Sequence, residues 1–574
     1  MLNQSNEKGK ARLARIARRA MVENGFLPEF STDVISETEK IKKTSPLLTT
    51  ASETQKDQRT GTGLNTASEP QKIQRAGGGL NTASETQKNQ RTGTGLNTAS
   101  ETQKNQPAGT GINTASEIGT IQRAGSGLNT SAKDLRNLLW ASIDNDDSMD
   151  LDQLTVAEAL ADNNVRILVA IADVDSLVKA ETAIDAHAKH NTTSVYTAAK
   201  IFPMLPEILS TDLTSLALNK DRRAIVVDMV IDQAGNIKSS DIYPALVRNQ
   251  AKLAYNSSAA WLEGKTAAPD IVTNVPGLAE NLRIQDQAAQ KLKAKRHERG
   301  ALDLQTLEAR PVFKGDEIED LQVDVTNRAK EIIEDFMIAA NDVTAVYLKD
   351  KKIPSLRRVV RTPKRWDRIV EIASRHKYQL PAEPDVKALA NFLIMQKTAD
   401  PLRFPDLSLS IIKLLGSGEY VVESADEISP GHFGLAVNDY THSTAPNRRF
   451  PDLIIQRILK ASLSGSPMPY SKDQLLELAT HCTTMEDDAN KVERLVAKSA
   501  AAMLLSTRIG EQFEALCTGA ADKGTWVRIL NPPIEGRLLK GFQGVDVGDR
   551  LKVKLIDTDI EKGFIDFEKV GVNH

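Results

Sequence analysis

The 574-residue sequence predicts an α+β protein closed by a small β-barrel. Three observations carry that prediction. Strand patterns gather between Leu138 and Asp232, helical patterns dominate from Leu278 to Ile509, and short strands return between Gly524 and Val570. Strands and helices segregated along the chain mark this class, whereas a parallel α/β sheet alternates them.

In chain order, residues 6–24 read first as a basic helix. Leu13, Ile16, Ala17 and Met21 fall at helical spacing among Lys8, Lys10, Arg12, Arg15, Arg18 and Arg19. An amphipathic helix docked on the main domain fits this pattern, and so does a phosphate-contacting arm. The basic N-terminal segment is taken as 1–40, and 41–131 as a disordered linker. That linker repeats a sixteen-residue unit whose leading position recurs as Leu48, Leu64, Leu80, Leu96 and Ile112. One aliphatic anchor per unit cannot bury enough surface to offset the entropy of ordering the chain. A binding array is the alternative reading.

Leu138–Ile143 and Leu154–Leu160 are predicted strands on either side of an acidic cluster. Asp162-Asn163-Asn164 supplies turn chemistry before a buried strand, Val165–Val174. Ala224–Asp232 is another strand, followed by a Gly235-Asn236 turn. Helices are predicted at Leu278–Glu298, Ala329–Leu348, Pro451–Ser462 and Lys472–Ile509. Trp526–Leu530, Ile534–Leu539, Arg550–Ile556 and Gly563–Phe567 are short strands broken by Pro, Gly and Asp. Such a run suggests a barrel of the oligonucleotide-binding type, and any small antiparallel barrel would share the pattern.

The formal net charge of −3 argues neither for nor against nucleic acid, so local charge must decide. The basic N-terminus lacks the apolar core of a signal peptide. No apolar run approaches the roughly 20 residues that cross a bilayer. Cys482 and Cys517 give neither a disulfide framework nor zinc-ligand spacing, so a reducing, cytoplasmic setting is expected.

The chemistry concentrates in Asp144, Asp146, Asp147, Asp150 and Asp152, with no lysine or arginine between Arg136 and Arg166. Carboxylates held this close repel unless some protonate or a cation binds. Hard oxygen ligands suit Mg²⁺ or Mn²⁺. In an extended segment Asp150 and Asp152 share one side while Met149 and Leu151 take the other. A turn through Asn145–Ser148 could fold Asp144 back beside them. An exposed acidic loop is the plain alternative, and the apolar strand on each side weighs against it.

With this cluster the chain resembles the ribonuclease II/ribonuclease R (RNB) superfamily of exoribonucleases. Ser142-Ile143-Asp144 through Asp150-Leu151-Asp152-Gln153 matches the opening motif. Tyr196 through Pro203-Met204-Leu205-Pro206, Arg299-Gly300-Ala301-Leu302-Asp303-Leu304, Ile333–Asn341, and His432–Leu435 with Tyr440–Leu453 follow in order. The resemblance covers about residues 132–510. It implies an RNB catalytic domain over 132–515, a mixed sheet with surrounding helices, and an S1/OB-like barrel over 520–574. The 299–304 and 333–341 segments correspond to a family strand and a family helix.

The resemblance also implies the site. Asp144, Asp150 and Asp152 fall on metal-binding and catalytic acids, and the fourth acid falls on Gln153, whose neutral carbonyl can ligate but adds no charge. The site would then bind Mg²⁺ more weakly, favour Mn²⁺, recruit Asp147, or have lost activity. Arg448 matches the catalytic arginine, Arg449 a neighbour on the RNA backbone, and Glu493 a glutamate near the leaving 3′ nucleotide. Tyr196 matches an aromatic that stacks a base. His432 and His442 read as packing or polar-network residues. Where the family carries two cold-shock barrels, this chain has a basic helix and the repeat linker. The expected activity is metal-dependent 3′-to-5′ hydrolysis of single-stranded RNA to nucleoside 5′-monophosphates. A catalytically silent RNA-binding protein and a nuclease for DNA or a small nucleotide are the rivals.

Overall fold

Strand alternation and turn chemistry build the centre of the fold, and the N-terminal segment reaches it from outside. The computed structural model describes residues 8–44, 132–306, 308–324, 326–424, 430–521 and 523–571. The N-terminal segment carries α1 (Gly9–Glu23) and α2 (Thr32–Thr44). Next come β1 (Lys133–Asp134), β2 (Ala141–Asp144), β3 (Gln153–Ala159), β4 (Val165–Ala172), α3 (Ala183–Asn191), β5 (Val195–Tyr196) and β6 (Ile201–Phe202). They are followed by β7 (Asp221–Ile231), β8 (Ile237–Arg248), β9 (Ala251–Ala254), α4 (Tyr255–Leu262), α5 (Asp270–Asn274) and α6 (Leu278–Arg299). A hairpin of β10 (Glu308–Lys314) and β11 (Glu317–Asp324) precedes α7 (Arg328–Asp350) and β12 (Ser355–Val359). Then come α8 (Trp366–Arg375), α9 (Val386–Ala399), α10 (Phe404–Leu415), β13 (Glu419–Glu423), α11 (Phe450–Ser464) and α12 (Lys472–Leu505). The last strands are β14 (Gln512–Ala521), β15 (Gly524–Ile529), β16 (Glu535–Lys540), β17 (Arg550–Asp559) and β18 (Phe564–Lys569).

The main sheet has the order β1-β8-β7-β4-β3-β2-β9. Its interior neighbours are antiparallel, while β1 on β8 and β2 on β9 pair in parallel. This is the expected mixed sheet. Leu154, Val169 and Val226 are fully buried against α6, α7 and α11, in a core that also holds Phe336 and Ile454. Complete burial of one such aliphatic side chain contributes about 1.5–3 kcal/mol. The predicted Gly235-Asn236 turn joins β7 to β8, with Gly235 at φ 80° and Asp232 Oδ1 accepting from the backbone N–H groups of Ala234 and Asn236.

Strands β14-β15-β16-β18-β17 form a closed barrel, the predicted C-terminal module. Its first strand begins at Gln512, so a domain boundary at 515–520 would cut through β14. That strand is rich in Ala and Gly, and it is held by pairing with β15 and β17 rather than by local propensity.

Other expectations are corrected. Arg299–Leu304 is not a strand: Gly300, at φ 104°, ends α6, and an added Cβ there would meet the Lys387 backbone at 3.0 Å. Residues 41–44 lie within α2 rather than in the linker. The rest of the linker, 45–131, falls outside the described residues. Helix α1 buries Leu13, Ile16, Ala17, Ala20 and Met21, so the docked amphipathic reading is the one realised. Its basic face is spent internally. Arg12, Arg15 and Arg19 reach Glu561, Arg18 reaches Glu29, and Lys8 reaches Asp316. A phosphate-contacting arm would need those charges free.

Candidate active site

The acidic cluster sits at the end of β2, where parallel pairing sets Asp144 opposite Ala254 of β9. Asn145–Ser148 forms the expected turn, closed by the Ser148 N–H on the Asn145 carbonyl at 3.1 Å. The stretch 149–152 is not a strand. It is pinned from outside: the Leu151 N–H donates to Ser215 Oγ (3.1 Å), and the Ser215 hydroxyl donates to the Met149 carbonyl (2.7 Å). The Ala172 N–H takes the Asp152 carbonyl at 2.9 Å. The predicted sharing of one face by Met149 and Leu151 therefore fails, since Met149 is exposed and Leu151 buried.

Asp152 is buried and doubly bonded. Arg448 Nε donates to Oδ2 at 3.0 Å, and the Asn447 N–H donates to Oδ1 at 3.2 Å. Burial still dominates and pushes its acid up to about 7, with Asp150 adding to the rise against Arg448. Asp144 is pushed up to about 6, first by burial and then by Asp150, against Arg448 and Lys252. One of its oxygens, Oδ2, is buried without any donor.

Asp150 receives the Tyr196 hydroxyl at 2.9 Å, and the Tyr196 N–H donates to Glu493 Oε1 at 2.8 Å. Asp144, Asp150, Asp152, Arg448, Tyr196 and Glu493 are thus brought together from β2, the following loop, β5, the start of α11 and α12. Asp146 and Asp147 are exposed on the turn.

Three predicted roles are revised by this geometry. Gln153 turns its Nε2 toward Asp144 Oδ1 at 3.4 Å, so it faces the acid as a weak donor rather than as a carbonyl ligand. Among the described residues no three carboxylate, imidazole or thiolate groups stand close enough to hold a metal ion together. The cause is visible in the bonds: Asp152 turns to Arg448, Asp150 to Tyr196, and Asp144 meets Gln153. Arg449, expected on the RNA backbone, is engaged here in an interior network. Its Nη2 donates to buried Asp452 at 2.8 Å, whose Oδ1 also accepts the Ala445 N–H at 2.8 Å.

The same network takes up both histidines. Tyr420 Oη lies 2.8 Å from His442 Nδ1, and desolvation of the half-buried His442 ring pushes it well below the ordinary histidine value, favouring the neutral form. His432 Nδ1 accepts the Leu435 N–H at 3.1 Å.

Sequence reading missed Tyr255 and Lys252. The β2–β9 pairing brings both near Asp144: burial first and then the Asp144 charge raise the Tyr255 hydroxyl, while Lys252 offsets part of the rise of Asp144. Nothing short of the strand pairing would have shown them.

Comparison with known proteins gives the family. The RNB domain model matches residues 132–465, and the model for the RNase II-type exonuclease C-terminal S1 domain matches 511–570. Ribonuclease R of Aquifex aeolicus (strain VF5) is 31% identical over 469 residues, covering 76% of this chain and 65% of that protein. The chain therefore spans about two-thirds of that relative's length. The structure of Mycoplasma genitalium RNase R in complex with ribose methylated single-stranded RNA is similar at TM-score 0.69 and 26% identity, covering 76% of this chain and 72% of the other. Yeast Ssd1, a pseudonuclease, shares the fold at TM-score 0.57 and 17% identity, covering 73% of this chain and 52% of its own.

Proposed function

The chain belongs to the RNB domain family, and from that premise we propose that it is a divalent-metal-dependent 3′-to-5′ exoribonuclease acting on single-stranded RNA in the cytoplasm, with nucleoside 5′-monophosphates as products. The observation that carries the reading is one constellation: Arg448 on Asp152, Tyr196 on Asp150, and Asp144 with an unpartnered buried oxygen beside them.

The donor set suits Mg²⁺ or Mn²⁺. Burial and the Asp150 charge raise Asp144 and Asp152 even against the neighbouring Arg448, and the orphaned Asp144 Oδ2 is an oxygen available to ligate. Asp144 and Asp150, with Asp152, would hold the ion once the bonds from Tyr196 and Arg448 that keep the three carboxylates apart give way to it. When bound, it would activate water and stabilise the oxygens of the phosphodiester.

The remaining steps belong to the chain itself. Arg448 gives only Nε to Asp152, and its side chain is 43% exposed, so its terminal nitrogens are available to the scissile phosphate. Paired N–H donors there stabilise charge developing on the phosphoryl oxygens. Tyr196 has its hydroxyl fixed on Asp150 and is 39% exposed as a residue, which leaves it able to offer a stacking face to the 3′-terminal base. Glu493 accepts the Tyr196 N–H and so orients that residue beside the site, where it would assist at the leaving nucleotide.

The test is 5′-labelled single-stranded RNA incubated with Mg²⁺ or Mn²⁺. A ladder shortening from the 3′ end with mononucleotide release is expected, and no shortening with either metal would sink the reading. Arg448→Lys should lower kcat roughly 10²-fold or more while leaving RNA affinity within about threefold, as expected for a lost transition-state donor.

The silent RNA-binding reading is favoured by one feature, the amide of Gln153 standing where a fourth carboxylate would add charge. Asp152→Asn separates the two. An active enzyme loses cleavage and keeps binding, whereas a silent protein shows no cleavage in either form.

A further inference from the structure

Tyr196 lies in a hairpin of two-residue strands, β5 and β6, which is too short to be stable by itself. Alternation along β5 sends Tyr196 toward the acids and Val195 to the opposite face. Val195 and its cross-strand partner Phe202 are both buried there.

An apolar cluster shared by the N-terminal helix and α12 fills that face. Ala17, Ala20 and Met21 of α1, with Phe26 just after it, share one apolar cluster with Val195, Phe202 and Val492. Val492 immediately precedes Glu493, the residue that accepts the Tyr196 N–H. Leu13 and Ile16, further back along α1, pack with Ala198 and Ala199 in the hairpin turn. The chain entering the hairpin is also tied down. Leu27 and Asn191 exchange two hydrogen bonds of 2.9 Å, and His190 Nε2 lies 2.8 Å from the Gly25 carbonyl.

We propose that α1 and Phe26 form a positioning element of the active site, setting where Tyr196 stands and, through its hydroxyl, where Asp150 points. This rests on the nuclease reading above. No α1 side chain reaches Asp144, Asp150 or Asp152 in the contacts described, so the effect must pass through the hairpin. Ala17 and Ala20 allow close approach, while Met21 and Phe26 supply the bulk that stops the hairpin from sinking back.

The test uses the full chain with Met21→Ala, and Phe26→Leu as a milder second variant should the first fold poorly. On a short labelled RNA, kcat should fall about ten- to a hundredfold with KM changed less than about threefold, and Met21→Leu should restore it. In a Tyr196→Ala background, Met21→Ala should cost less than about twofold, because the ring and hydroxyl routes are both already cut. Equal losses in both backgrounds, or an unchanged kcat in a folded variant, would overturn the proposal. Hydrogen exchange supplies a readout independent of turnover: amides of residues 193–202 should exchange faster in Met21→Ala while those of β4 do not change. If the wild type cleaves no RNA, the nuclease reading fails. Exchange then decides the mechanical claim, with an unchanged hairpin rejecting it.

Discussion

Asp144 carries a charge that its surroundings oppose, and removing that charge should stabilise the fold. Its ordinary value of 3.8 is raised to about 6, chiefly by burial. The unfolded chain therefore releases this proton earlier than the folded one, and stability attributable to Asp144 falls as pH rises from about 4 to about 6. Asp144→Asn should accordingly be more stable than wild type in metal-free buffer, by on the order of 1 kcal/mol above pH 6 once solvent screening is allowed for. The gain should shrink as pH is lowered through that window, and activity should be abolished. Denaturant midpoints of both forms at pH 4.5, 6 and 8 check this; a constant difference, or a less stable variant at pH 8, contradicts it. The identities at the site were legible because the aspartates, Arg448 and Tyr196 sit in ordered motifs and Glu493 falls on a family position beyond them. Their pairing was not. Whether Asp152 meets Arg448, or Gln153 presents its amide to Asp144, depends on strands and loops distant in sequence. Arg449 shows the same limit, since a charge next to Arg448 in sequence folds onto Asp452 instead.

At the level of elements, one barrel carboxylate gathers three arginines of α1. Glu561, in the β17–β18 turn, receives Arg12 Nε at 3.0 Å, Arg15 Nη2 at 2.8 Å and Arg19 Nη1 at 3.0 Å. The Arg15 and Arg12 hydrogen bonds hold its acid down to about 2, from 4.5. A depressed acid stabilises the fold above its unfolded value and loses that contribution as pH falls from about 4.5 toward 2. Glu561→Gln should cost about 1 kcal/mol at pH 7, the side chains being partly exposed and screened. That difference should narrow below pH 4.5 and also in 1 M salt. Urea titrations of the two proteins under these conditions measure it, and a difference indifferent to both pH and salt would show that the contact is not ionic. The amphipathic spacing of α1 was readable from four apolar positions, but the partners of its arginines were not. Strand β14 was unreadable for a different reason: Ala515, Gly519, Ala520 and Ala521 carry little intrinsic strand preference, and neighbouring strands impose the conformation.

Across the whole molecule, α12 is the member that makes the catalytic domain and the barrel one mechanical unit. Its 34 residues extend about 51 Å. Along that length Thr483 Oγ1 accepts the Tyr420 N–H, Glu486 pairs with Arg358 at 2.6 Å, and Glu493 holds Tyr196. At its end Ala501, Ala502 and Leu505 enter the apolar core of the barrel beside Val527 and Val553. Arg528 of β15 adds an ion pair to Asp406 of α10 at 2.7 Å. The helix itself was legible as one long periodic stretch, whereas its entry into the barrel core was not, because a boundary drawn from strand patterns falls after it. A barrel whose core includes part of its neighbour's helix should not melt alone. Calorimetry of the full chain should therefore show catalytic domain and barrel unfolding in one transition. Ala497→Gly, at an exposed position of α12, should lower that transition by about 1 kcal/mol without splitting it. Two resolved transitions in the wild type, the first confined to residues 512–569 by hydrogen exchange, would show that the barrel is autonomous and that α12 only touches it.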